Sequence, residues 1–231
     1  MEVSDAIQLA YLEASGKPVA PVVGSKKYNQ LLGYLNNAQR EWQNEPDVNW
    51  DSTFDFVEVG NVSATDRFAF DPDVVLKPST TEGDYVTVTS TTGGITNYRI
   101  VKPSDFKRNL YGNAVTIINK EIVFPRAFTS DDTQFGGQIT MPAYLKLDTL
   151  TSGRDEIGVD DPMWAVIMAA AKYVRNDTVK QNQYGNLIAE ANNLMLSMKQ
   201  RNSSAITSVQ LVENVQGESW GTYDSFYGGT R

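Results

Sequence analysis

Apolar residues recur every three to four positions at both ends of this chain and nearly every second position in its middle. At the start, Val3, Ala6, Ile7, Ala10, Tyr11 and Ala14 share one face of a helix predicted over 3–14, with Ser4 at a capping position. The stretch "GKPVAPVVG" ends that helix with Gly16, Pro18, Pro21 and Gly24. A second helix is predicted over 25–43, where Tyr28, Leu31, Leu32, Leu35, Ala38 and Trp42 line one side and Pro46 lies just past the end.

From about residue 49 to 150 β-branched and aromatic residues rise and turn residues recur. "FDFVEVG" (54–60) alternates in the manner of a half-buried strand. Residues 83–101 read as a hairpin around Gly93–Gly94, because paired glycines accept the positive φ of a tight turn. "AVTIINKEIVFP" (114–125) reads as two short strands turning at Asn119–Lys120. The stretch 136–150 reads as a last strand, with Pro142 marking a bulge or an edge. This middle part is expected to be an antiparallel module of about six to eight strands.

Helical spacing then returns. Asp160 or Asp161 caps a helix with Pro162 in its first turn, where the missing N–H costs nothing. Trp164, Ile167, Met168, Ala171 and Val174 form its expected buried face. A second segment, 184–198, carries Leu187, Ile188, Ala191, Leu194, Met195 and Met198 on one side, with the joint near 176–182. The last stretch is rich in Ser, Gly and aromatic residues and is expected to be an extended arm. The expected fold class is therefore α+β. N-terminal helices (1–48) and a C-terminal helical hairpin (151–202) would form a helical bundle, with an inserted antiparallel β module (49–150) and an extended C-terminal arm (203–231).

Composition narrows what such a chain can do. Among its 231 residues there is no cysteine and no histidine. Disulfides, thiolate nucleophiles, the usual zinc sites and both Ser–His–Asp and Cys–His catalysis are excluded. The net charge of −8 argues against clamping nucleic-acid phosphates, which requires clustered Lys and Arg. Neither a Walker A pattern nor G-x-G-x-x-G occurs, so no nucleotide cofactor is expected. The opening "MEVSDAIQLAYLEASGKP" has no basic segment and no long apolar run, and no stretch reaches membrane-spanning length. The expectation is a protein made in the cytoplasm that leaves only as part of an assembly.

Acidic pairs at Asp71/Asp73, Asp131–Asp132, Asp155–Glu156 and Asp160–Asp161 raise the question of carboxylate catalysis. Such a hydrolase needs two acids across a cleft, one of them with a raised pKa. Turn and cap positions explain these acids more simply, and "FDPDVVLKP" lacks the alternating ligands, central Gly and closing Glu of a calcium loop. No catalytic, cofactor or metal residue is assigned. The tail is more informative: Trp220, Tyr223, Phe226 and Tyr227 stand among glycines within eight residues. Large aromatics dominate interface energetics, so these four are the candidate partner-binding residues, and the segment is expected to order on its partner.

The succession "YRIVKPSDF", "AVTIINKEIVFPRAF", "YLKLDTL", "DDPMWAVIMAAAKYVRND", "NLIAEANNLMLSMKQRNSS" resembles the head–tail connector (adaptor) proteins of tailed bacteriophages. The matching features are Ala38 and Trp42 near a helix end, Ile122 to Pro125 closing a strand, the helix Pro162 to Tyr173, and Met198, Arg201 and Asn202 near the end of the next helix. The resemblance spans most of 31–202 and is one of order and texture. It implies a structural virion protein of the neck. Such proteins form a homo-oligomeric ring, usually a dodecamer, beneath the portal protein, with a tail or stopper protein on the other side. DNA passes through the channel without specific binding during genome ejection, and no membrane is involved. It also implies that the C-terminal arm docks on the portal. Two other readings are a tail-tube or tail-completion protein and a glycan-binding β module.

Overall fold

The computed structural model describes residues 1–79, 84–107 and 113–224, with side chains through residue 203. In chain order the elements begin with α1 (Val3–Ser15), α2 (Lys26–Gln43), β1 (Phe54–Asn61), β2 (Arg67–Ala69), β3 (Val75–Pro78), β4 (Tyr85–Thr89) and β5 (Ile95–Ile100). They continue with α3 (Pro103–Lys107), β6 (Ala114–Ile118), β7 (Glu121–Val123), β8 (Gln138–Leu145), α4 (Pro162–Val174) and α5 (Gln181–Asp224). The chain divides into two units, one of Met1–Val48 with Asp148–Arg231 and one of Asn49–Leu147.

In the first unit the spacing that predicts α1 also defines what it buries: Val3, Ala6, Ile7, Ala10, Tyr11 and Ala14. Its start differs from the expected Ser4 cap. The N–H groups of Val3 and Ser4 instead donate to the carbonyls of Asp155 and Gly153, at 2.9 Å each. Backbone of the returning chain thus satisfies donors that a capping side chain would otherwise take. Gly16, at φ +69°, closes α1 in the left-handed conformation that suits glycine. Ser25 caps α2 by accepting from the Tyr28 N–H at 3.3 Å.

Two polar residues on α2 fasten the segment that follows the second unit. Asn36 donates to the Leu150 carbonyl at 2.9 Å and accepts from the Leu150 N–H at 2.8 Å. Gln39, buried on α2, donates to the Asp148 carbonyl and accepts from the Gly158 N–H at 2.8 Å. α4 starts as predicted, with Asp161 accepting from the Met163 N–H and Pro162 in the first turn. It is buried on almost every side, because it packs against α1, α2 and α5. The alanines at 165 and 169–171 let three helices approach it, and Trp164 fills the remaining space. Met168, expected in the buried face, is only partly buried.

In the second unit eight strands form one sheet in the order β1-β8-β4-β5-β6-β7-β2, with β3 also paired to β8. β8 carries β1 along its whole length, from Phe54 opposite Tyr144 to Asn61 opposite Gln138. Its other edge pairs β4 through residues 138–140 and β3 through 143–145. Pro142 sits where β4 hands over to β3, so its missing N–H interrupts no ladder. It marks neither a sheet edge nor a bulge in β8. The hairpin of β4 and β5 turns through Gly93 at φ +87°, and that of β6 and β7 through Asn119 and Lys120, at φ +53° and +66°. Gly137 approaches β4 so closely that a Cβ would run into the Thr89 carbonyl oxygen.

The expected helical bundle with an inserted antiparallel module is corrected on three points. The strands form a mixed sheet that curls into a nearly closed barrel with its own core, and the described residues also include five α-helices. That core contains Phe68, Phe124, Phe128, Val86, Ile122 and Met141. The sheet is not wholly antiparallel. β5 and β6 run parallel, with Arg99 opposite Ala114, and α3 lies in the connection between them, as parallel neighbours require a crossover rather than a tight turn. Third, the segment after 202 is not an extended arm. α5 continues through it to Asp224, a helix of 44 residues. Apolar residues at 206, 209, 212 and 215 sustain helical spacing, and glycines at 217 and 221 each lower helix propensity by only about 1 kcal/mol.

Candidate functional site

The four aromatics singled out in the tail fall at the end of α5 and beyond it. Trp220 and Tyr223 lie on the helix, their side chains outside the described residues, and Phe226 and Tyr227 lie outside the described residues altogether. The described surface offers two further features in the helical unit.

The first is the segment joining α1 to α2. Val19, Val22 and Val23 are 76%, 78% and 77% exposed. Pro18, Pro21 and Gly24 keep this stretch out of both helices, so its valines have no helix face on which to be buried. Lys17, Lys26 and Lys27 flank it, and no acidic residue occurs between Glu13 and Glu41, although the whole chain is acidic. Lys27 lies over the Tyr11 ring, 5.7 Å from its centre. Sequence reading takes this stretch only as a helix breaker. The available signal is three valines in five residues where turns normally carry polar side chains.

The second is a groove formed by α2, α4 and α5, with a cavity of about 380 Å³. Trp164, Met168, Met195 and Leu196 supply apolar lining, and Glu45 and Lys199 form an ion pair beside it. A parallel pair joins Lys172 to Glu41. Leu196 is 55% exposed.

The acidic pairs are held in structural roles. Asp161 caps α4, and Asp71 accepts from the Asp73 N–H in a turn at 2.8 Å. Asp155 accepts from the N–H groups of Thr151 and Ser152, which lowers its pKa below the usual carboxylate range. Asp132 accepts two hydrogen bonds from Arg126, at 2.8 and 2.5 Å, and two more from the Thr129 N–H and hydroxyl. Arg126 and then the Thr129 N–H hold its carboxyl far below the ordinary range. A general acid requires the opposite shift. Among the described residues no group of three metal-ligating side chains converges. No helix among them is long and apolar enough to cross a membrane.

No protein-family model matches the chain, and a search of curated proteins finds no match.

Proposed function

We propose that the chain is a structural head-to-tail adaptor of a tailed bacteriophage, acting by assembly and not by catalysis. Copies of it form a ring in the neck of the virion, between the portal protein and a tail or stopper protein, and DNA passes through the channel without specific binding. The succession of elements that resembles the adaptor family, from Leu31 to Asn202, supports the reading. The observation that carries it is the disproportion of the last helix. α5 has 44 residues and α4, on which it packs, has 13. At about 1.5 Å per residue these are lengths of roughly 66 and 20 Å. α4 is therefore less than a third as long as α5, and the part of α5 beyond its reach leads to Trp220, Tyr223, Phe226 and Tyr227, the proposed portal-docking residues.

The acidic net charge suits a channel wall that must let DNA slide, because like charge repels phosphate. The exposed valines of 19–23 suit a contact between subunits. Electron microscopy of the protein mixed with its cognate portal, with and without residues 203–231, tests the assignment. Rings on the portal with the intact chain and none with the shortened chain are expected. Absence of rings with the intact chain would overturn the adaptor reading, and rings with both would overturn the role of the tail.

A further inference from the structure

The barrel unit holds a second cavity of about 380 Å³, within the roughly 300–1,000 Å³ typical of small-molecule sites. Its apolar part is an edge-to-face aromatic stack. Tyr98 and Phe124 have ring centres 4.9 Å apart, and Phe124 and Phe128 are 5.0 Å apart. Its polar part is Asn113, Arg126 and Gln134. These groups come from β5, the residue just before β6 and the stretch between β7 and β8, so the fold brings together residues distant in sequence.

The rim is fixed without a ligand. Gln134 donates to the Thr96 hydroxyl at 2.9 Å. Arg126 is gripped by both oxygens of Asp132, which Thr129 holds in turn. Groups already held in place lose little freedom when a ligand binds. The charges also cancel. Arg126 is matched by Asp132, so a phosphate, a carboxylate or an ammonium group would have to break that pair to find a counter-charge. What the cavity offers is a small apolar floor, where the core rings of Tyr98, Phe124 and Phe128 keep only 8%, 2% and 6% of their surface exposed, and a set of donors and acceptors with no net charge. Side-chain amides and a phenol each both donate and accept. A hydroxyl does the same, and a sugar ring combines several hydroxyls with a flat face of C–H groups that packs on aromatic rings.

We propose that this cavity binds a neutral pyranose unit, its hydroxyls on Asn113, Gln134, Arg126 and the Tyr98 hydroxyl and its C–H groups against the small apolar floor that the core rings leave open. The site does not depend on the chain acting in a phage neck. The unit is either a free sugar or one residue of a polysaccharide.

The test is an NMR titration of the full chain with glucose, galactose and N-acetylglucosamine, each run against inorganic phosphate as a charged control. Saturable shifts confined to residues 96–98, 113 and 124–134 are expected with at least one sugar and none with phosphate. Tyr98→Phe keeps the ring stack and removes one hydroxyl. It should leave the unfolding midpoint nearly unchanged and weaken sugar binding by about threefold to tenfold, the loss of one hydrogen bond. Dextran or a chitin oligosaccharide binding more tightly than its monomer would assign a polysaccharide, and equal affinity per unit would assign the free sugar. Shifts elsewhere, no shift with any sugar, a response to phosphate, or equal affinity in Tyr98→Phe would overturn the proposal.

Discussion

Asp132 shows how much one side chain can organise on a surface. It accepts from Arg126, from the Thr129 N–H and from the Thr129 hydroxyl, and so it holds the stretch after β7 in one shape. Its folded pKa lies well below its unfolded value, so it contributes stability that is complete above the unfolded pKa and is lost as pH falls through the ordinary carboxylate range toward the folded value. Asp155 acts in the same sense in the helical unit. Asp132→Asn keeps the size and one acceptor and removes the charge. The variant should be less stable than the parent at neutral pH. Its stability should change less between about pH 5 and pH 2, so that the two curves approach each other at low pH. Urea unfolding at a series of pH values measures this. Parallel curves over that window would mean that the Arg126 pairing contributes nothing. None of this is legible in the sequence, where Asp131–Asp132 reads as a solvated turn. Arg126 is six residues away, and only the folded loop brings the two together.

At the level of elements, local spacing is a good guide wherever one face is buried. The buried face of α1 is the set of residues its period gives, and the cap and proline of α4 mark its start. The turn at Asn119–Lys120 is also legible, because a two-residue link between short apolar runs demands positive φ at both positions. The parallel pairing of β5 with β6 is not legible, since a strand's own alternation does not say which way its neighbour runs. Nor is the role of Asn36 and Gln39, which bond residues more than a hundred positions away. Lys120 tests the turn. At φ +66° its Cβ crowds the backbone, and glycine has none. Lys120→Gly should raise stability by about 0.5–1 kcal/mol, the strain relieved less the added freedom of the unfolded chain. A shift of the thermal midpoint downward would mean that the lysine side chain contributes more than its strained backbone costs.

At the level of the whole molecule, two units with separate hydrophobic interiors explain why a bundle-centred expectation fails: the barrel has enough apolar residues to form a core of its own. The fold describes how each unit is stabilised and leaves function to its surfaces. Val19, Val22 and Val23, each more than three-quarters exposed, contribute little to the folding of the helical unit, because burial is what gives an apolar side chain its stabilising effect. Replacing all three by serine should therefore shift stability by no more than about 0.5 kcal/mol per site. If copies of the chain meet through this segment, the same change removes most of the apolar area of the contact. The lysines at 17, 26 and 27 remain, so long-range attraction to an acidic neighbouring copy is kept while short-range burial is lost. The triple variant should then unfold at nearly the parent's midpoint yet fail to form rings on the portal, as read by analytical ultracentrifugation and electron microscopy of the mixture. Rings of normal size and yield would place the subunit contact elsewhere. A large fall in the midpoint would show that the valines are held by the fold itself and are not a surface kept for a neighbour.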